Sequence, residues 1–189
     1  IVVSNLVFDG SWVACTDNAK NVLFKNCVFK SEPTKILTCS NVTFQNCLFK
    51  GLLIDNSANV SLNHCTVLAG PNAPEKASAL WLRGNTDIDI NNSIIYGEGI
   101  GITFTNPDNS KDRKISNTLW YGEEGFCAPL VNNKIDDKEK IDNDKKLKIS
   151  KFFKVRNNLH SPPQFVDDKK GIWRLVKGVP GTKKADDGK

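Results

Sequence analysis

Asp55, Trp81 and Arg83 are the residues in this sequence best suited to hold a ligand. An indole can stack on a sugar ring, a guanidinium can grip a carboxylate through two parallel hydrogen bonds, and a carboxylate can take hydroxyl donors. Such a set would suit a carbohydrate, and an acidic one above all. The other carboxylates are scattered. Asp87 and Asp89 flank a short apolar phrase, Asp108 and Asp112 share the stretch NPDNSKD, and Glu123 and Glu124 sit in YGEEG. None of these forms a calcium loop or the spaced acid pair of a sugar hydrolase. The chain has two histidines, His64 and His160, and neither belongs to a Ser/His/Asp motif. Its six cysteines include no CxxC pair and no Cys/His zinc spacing. No metal or cofactor is therefore expected, and no catalytic residue can be named from the sequence.

For Asp55, Trp81 and Arg83 to work together, the chain must bring distant segments side by side, and a repeat does so. The phrase reads IVVSNLVF at 1–8, VLFKNCVF at 22–29, VTFQNCLF at 42–49, VSLNHCTV at 60–67, IDINNSII at 88–95 and RKISNTLW at 113–120. Its fifth residue gives the register: Asn5, Asn26, Asn46, His64, Asn92 and Asn117. A constant phrase at uneven intervals implies a fixed rung with variable loops. Within the phrase the first and third residues are mostly apolar and the second and fourth mostly polar, the alternation of a strand with one buried face. One such strand cannot bury that face alone, whereas parallel stacking at about 4.8 Å per rung does.

The anchor then becomes a column of Asn, a residue that tolerates the left-handed conformation at a bend and whose amide can bond the next amide in a ladder. The following column, Leu6, Cys27, Cys47, Cys65, Ser93 and Thr118, is small to medium in size, as an inward or bend position requires. Its cysteines read as buried free thiols, with a disulfide ladder as the alternative. A further strand precedes most phrases, at 12–15, 36–39, 52–55, 80–83 and 100–104. On these strands Asp55, Trp81 and Arg83 point outward on adjacent rungs, with inserts 70–79 and 106–112 as walls. A plainer reading makes Asp55 and Arg83 a surface ion pair beside a half-covered Trp81.

The expected fold is thus all-β: a right-handed parallel β-helix of about six rungs, its hand following from the bias of parallel crossovers. Rungs occupy 1–130. Residues 131–189 hold a charged insertion and a cap of the same domain, needed because a solenoid end exposes core and strand edges. Ser150 is expected to N-cap a short helix over 151–156, with Phe152, Phe153 and Val155 supplying apolar contacts. Phe165–Val166 and Trp173–Leu175 read as final strands, Arg174 as a partner for Asp167, and His160 as a turn residue. The chain of 189 residues carries a net charge of +5, and the segment 134–154 mixes both signs. Such a mixed run reads as a solvated surface, so no nucleic-acid partner is expected. No run approaches the roughly 18 apolar residues of a membrane span. The sequence opens inside a rung without a leader, as a mature fragment or trimmed domain would. Three N-x-[ST] sequons, beginning at Asn41, Asn59 and Asn91, fall at the Asn-rich bends.

These repeats resemble right-handed β-helix repeat proteins, the group that holds the pectate-lyase-like enzymes. The closing stretch HSPPQFVDDKKGIWRLVKGVP at 160–180 looks like the ending of many secreted bacterial β-helix proteins, matching at Pro163, Phe165, Val166, Asp167, Gly171, Trp173, Arg174, Leu175, Gly178 and Pro180. Pro162 and Val179 stand where that pattern has Asp and Ser. The resemblance implies an extracellular, periplasmic or cell-surface location in a bacterium. It also implies that further rungs or domains of a parent chain are partners. The resulting expectation is a non-catalytic carbohydrate-associated or scaffold domain, with polysaccharide as a possible partner. Two alternatives stay open. One is a polysaccharide lyase or glycoside hydrolase fragment acting on an acidic polysaccharide, where Ca²⁺ would enter only in the lyase case. The other is a structural spacer or adhesin domain.

Overall fold

The computed structural model describes residues 1–9, 14–30, 33–69, 78–105, 113–132, 134–136, 138, 140–141, 150–167 and 172–176. Each pass of the chain lays down three short strands. The first triplets are β1 (Val2–Ser4), β2 (Val7–Phe8) and β3 (Ala14–Cys15), then β4 (Lys20–Lys25), β5 (Val28–Phe29) and β6 (Thr34–Leu37), then β7 (Ser40–Gln45), β8 (Leu48–Lys50) and β9 (Leu52–Asp55). They continue as β10 (Ala58–Asn63), β11 (Thr66–Leu68) and β12 (Leu80–Arg83), then β13 (Ile88–Asn91), β14 (Ile94–Gly97) and β15 (Ile100–Phe104), then β16 (Arg113–Ser116), β17 (Leu119–Gly122) and β18 (Gly125–Val131). After these come β19 (Lys134–Ile135), β20 (Lys154–Arg156), β21 (Phe165–Asp167) and β22 (Ile172–Leu175).

Corresponding strands stack into three sheets: β1-β4-β7-β10-β13-β16-β20, β2-β5-β8-β11-β14-β17, and β3-β6-β9-β12-β15-β18 with β19 at its end. All neighbours within the triplets pair in parallel, and this is a right-handed parallel β-helix that makes about five turns. Two strand limits differ from expectation. The strand expected at 36–39 is β6, Thr34–Leu37, and of the strand expected at 12–15 the described part is Ala14–Cys15.

The Asn column exists, and its backbone explains it. Asn5, Asn26, Asn46, His64, Asn92, Asn117 and Asn157 all have φ between 48° and 57°. That region costs an ordinary residue about 1–2 kcal/mol, and Asn is among the residues that visit it routinely. Asn26 Nδ2 donates to Asn5 Oδ1 at 3.0 Å and Asn46 Nδ2 to Asn26 Oδ1 at 2.8 Å. A second ladder stands where the third sheet turns back to the first: Asn41 donates to Asn21 and Asn59 to Asn41, each at 3.0 Å, with φ of 57°, 56° and 52° along the column. At the end of the third-sheet strands, Thr38, Asn56 and Gly84 take the same conformation. There a Cβ on Gly84 would lie 2.1 Å from Asn56 Oδ1, so a larger residue would displace the Asn56 side chain.

From Asn26 to Asn117, the residue after each bend of the first ladder is buried, small and hydrogen-bonded. Ser93 Oγ donates to Asn91 O at 2.7 Å and Thr118 Oγ1 to Ser116 O at 2.8 Å, while Cys27, Cys47 and Cys65 direct their thiols to backbone carbonyls in the same way. All six cysteines are free thiols. Inside, side chains stack by type. Phe8, Phe29 and Phe49 form one face-to-face column at 4.8 and 4.7 Å, and Phe24 and Phe44 form another at 4.9 Å that meets the first edge-on. Toward the end the filling becomes Ile88, Ile90, Ile95, Ile102 and Phe104.

The cap corrects an expectation. Among the described residues there is no helix, and 151–156 does not form one. The chain makes a tight turn at 150–151, buries Phe152 and Phe153 against Phe104, and runs straight into β20. β20 pairs in parallel with β16, setting Val155 over Ile115, and Asn157 follows at φ 53°. The segment KVRN thus repeats the strand-and-bend phrase, and the unpaired edge of β16 offers its backbone a full set of partners that a one-turn helix cannot match. Leu159 then bridges Leu119, and His160 fills the turn with Nδ1 3.3 Å from Trp120 O and its ring 4.4 Å from that of Phe126. β21 and β22 pair antiparallel at the end. The inserts at 70–77 and 106–112, Trp12, Gly171, Gly178, Pro180 and the side chains of Asp167, Trp173 and Arg174 lie outside what the structure describes.

Candidate functional site

The third sheet places the sequence-predicted residues as the repeat requires. β9 and β12 are in register, with Leu53 beside Trp81 and Asp55 beside Arg83, and β6 adds Lys35 beside Leu53. All five project from the outer face, because the inward columns are Leu52–Leu80–Ile102 and Ile54–Leu82–Phe104.

Asp55 and Arg83 are half-buried neighbours, yet among the described residues they form no ion pair. Asp55 Oδ1 instead accepts a hydrogen bond from Asn56 Nδ2 at 2.9 Å. Arg83 Nε is buried and has no hydrogen-bond partner among the described residues. Lys35 is held below the ordinary lysine range by burial and by the positive charge of Arg83. Two cations thus share this face of the sheet, with one strand, β9, between them. Trp81 is only 2% exposed and stands outside the central core cluster, so the outer face is covered at this point. Its ring lies over Gly51, where a Cβ would come within 3.3 Å of Cζ3, and its Nε1 is buried without a partner among the described residues. Leu53 and Thr103, beside it in the same outward column, are also buried. The structure therefore brings Asp55 and Arg83 together with Lys35 and turns Trp81 into their backing.

Two further groups escaped the sequence reading. Tyr96 and Tyr121 stack in register on the outer face of the second sheet, and Tyr96 Oη donates to Glu123 Oε1 at 2.5 Å. Burial, then that bond and the charge of Glu123, raise the Tyr96 phenol far above its usual range. Phe165 sits edge-on to Tyr96 at 6.2 Å, so this cluster docks the C-terminal hairpin. Its signal was the repeated Tyr-Gly-Glu of 96–98 and 121–123. A Cβ on Gly122 would lie 2.1 Å from Gly125 O, which is why glycine follows the tyrosine there. The second group is Arg113, which occupies an apolar position of its phrase and is fully buried inside the coil. Its Nη2 donates to Thr105 O at 2.7 Å and its guanidinium lies 5.0 Å over the Phe104 ring. No signal separates it from the outward polar residues of other phrases except its register.

Among the described residues no group of three or more His, Cys, Asp or Glu side chains could hold a metal ion, and no helix is long and apolar enough to cross a membrane. The class is set by architecture: a right-handed parallel β-helix scaffold. No known family model, curated protein or solved structure matches the chain, so the pectate-lyase-like grouping rests on the resemblance of the repeats and closing motif.

Proposed function

We propose that this domain is a non-catalytic scaffold of an exported bacterial protein that holds an acidic polysaccharide along the outer face of its third sheet. Arg83 and Lys35 supply positive charge for uronate carboxylates, Asp55 takes sugar hydroxyls, and Trp81 keeps the floor of the site rigid from beneath. The observation that carries this reading is Arg83, whose Nε is buried without a partner beside a second cation while the adjacent carboxylate bonds elsewhere. A guanidinium that takes no ion pair from the adjacent Asp55 leaves its charge for an external carboxylate.

Affinity electrophoresis and calorimetry with polygalacturonate and a neutral glucan test it. The acidic polymer should bind saturably, bind more weakly as salt rises, and lose about tenfold in affinity on Arg83→Ala, roughly 1.4 kcal/mol. The polymer should be recovered uncut. Equal binding of the neutral glucan, or binding indifferent to Arg83→Ala, defeats the proposal. Release of unsaturated or reducing-end fragments makes the domain a lyase or hydrolase instead.

A further inference from the structure

Five of the six thiols are buried, and Cys15 on the first rung is partly exposed. Cys27, Cys47 and Cys65 each point at backbone carbonyls of their own rung and of the rung before. Cys39 differs. Thr38, at φ 55°, turns the chain so that Cys39 Sγ lies 3.5 Å from Cys15 Sγ, across 24 residues of sequence, and 3.1 Å from Cys15 O. Cys47 also interacts side chain to side chain with Cys27 and Cys65, but those three are all buried, whereas the Cys15–Cys39 pair includes a sulfur that solvent reaches. Forming a bond of about 2.05 Å asks the two sulfurs to close by roughly 1.5 Å.

The geometry points to Cys15 and Cys39 as a reversible dithiol–disulfide site that exchanges with a small aliphatic disulfide of the glutathione type. Cys15, the accessible sulfur, attacks as its thiolate. A mixed disulfide forms and one thiol of the reagent leaves. Cys39 then loses its proton to solvent and attacks Cys15 Sγ, and the second reagent thiol leaves. The protein pair is oxidised by two electrons and the reagent disulfide is reduced by two, so the exchange balances without another oxidant. The product ties the third-sheet strand of the first rung to the corner of the second. Burial, followed by the hydrogen bond and charge of Cys39, pushes the Cys15 thiol up to about 12. The first step is therefore slow at neutral pH and accelerates about tenfold per pH unit as the thiolate fraction grows.

The test uses the reduced native domain with oxidised glutathione at about pH 8. Samples are quenched, alkylated and digested with trypsin, which cuts after Lys20 and Lys35 and so separates the two cysteines. The expected product joins peptide 1–20 to peptide 36–50, with fragmentation placing the bond on Cys39 rather than Cys47, and dithiothreitol reverses it. Cys39→Ser should stop the reaction at a mixed disulfide on Cys15. The assignment is overturned if wild-type Cys15 accumulates as the mixed disulfide, if the first cross-link joins Cys27 to Cys47, or if the protein stays fully reduced over an incubation about a thousandfold longer than the one that oxidises a free peptide containing Cys15, a factor that offsets its smaller thiolate fraction. The mapping is done on wild-type protein, so it does not depend on a variant that folds.

Discussion

His64 is the one position in the Asn column that breaks the rule, and replacing it should stabilise the protein. Its φ of 53° equals that of Asn46, and its N–H donates to Asn91 O at 3.2 Å just as Asn46 N donates to Asn63 O at 3.0 Å. An Asn placed there needs no backbone movement. By the pattern of the two rungs below, its Nδ2 would reach Asn46 Oδ1, and its Oδ1 would face the Asn92 amide of the rung above. A net hydrogen bond adds about 0.5–1.5 kcal/mol, and this column is solvent-exposed, so each new bond belongs near the lower figure. His64→Asn should therefore gain about 1 kcal/mol, or roughly 2–4 °C in Tm for a domain of this size. Urea unfolding should show the midpoint rise with an unchanged slope, because no surface burial changes. Two companions separate backbone from amide. His64→Gly relieves the left-handed strain without supplying an amide and should fall below His64→Asn. His64→Ala keeps the strain and loses the ring, so it should sit lowest, about 1 kcal/mol below His64→Gly. If Asn proves no better than Gly, the side-chain amides contribute nothing and the column is maintained by backbone conformation alone.

Phe29→Ala removes a fully buried ring that stacks on Phe8 and Phe49 and meets Phe24 and Phe44 edge-on. Such a truncation costs about 3–5 kcal/mol, here toward the upper end because of the ring contacts; a urea-unfolding loss under about 2 kcal/mol would mean the Phe columns are loosely packed. High pH should weaken the fold, because complete burial holds the Cys127 thiol far above its ordinary range. The unfolded chain sheds that proton near pH 8.5 while the folded state keeps it, so this contribution is whole below about pH 8.5 and falls by about 1.4 kcal/mol per unit above it. Urea midpoints at about pH 8 and 9.5 check this, and Cys127→Ala should flatten the slope; an equal slope in the variant refutes it.

The recurrence of one phrase made register legible, and register places residues. Asp55 could be set beside Arg83 before any coordinates, because both lie at fixed offsets from anchors that must stack. The same logic, carried further, would have placed KVRN at 154–157 as a seventh first-sheet strand. The apolar spacing of Phe152, Phe153 and Val155 suits a short helix, but Asn157 stands where every rung has its bend. The second ladder is written as the Asn before Val22, Val42 and Val60, one residue ahead of the repeated phrase and outside its alternation. Alternation assigns a side chain to the inner or outer face of a sheet but says nothing of what covers the outer face. Trp81 is outward by period and buried in fact, and Arg113 is inward by register although its type suggests the surface. In a coil of this kind the neighbour along the stack is encoded in the repeat. What lies over each outer face is not encoded in the repeat. The ladders, the core columns and the Asp55–Arg83 pairing therefore belong to the repeat, whereas the burial of Trp81 and the approach of Lys35 to Arg83 do not. A ligand-binding role here depends on those unrepeated features, so substitutions at Arg83 test more of the functional reading than any change within the repeat itself.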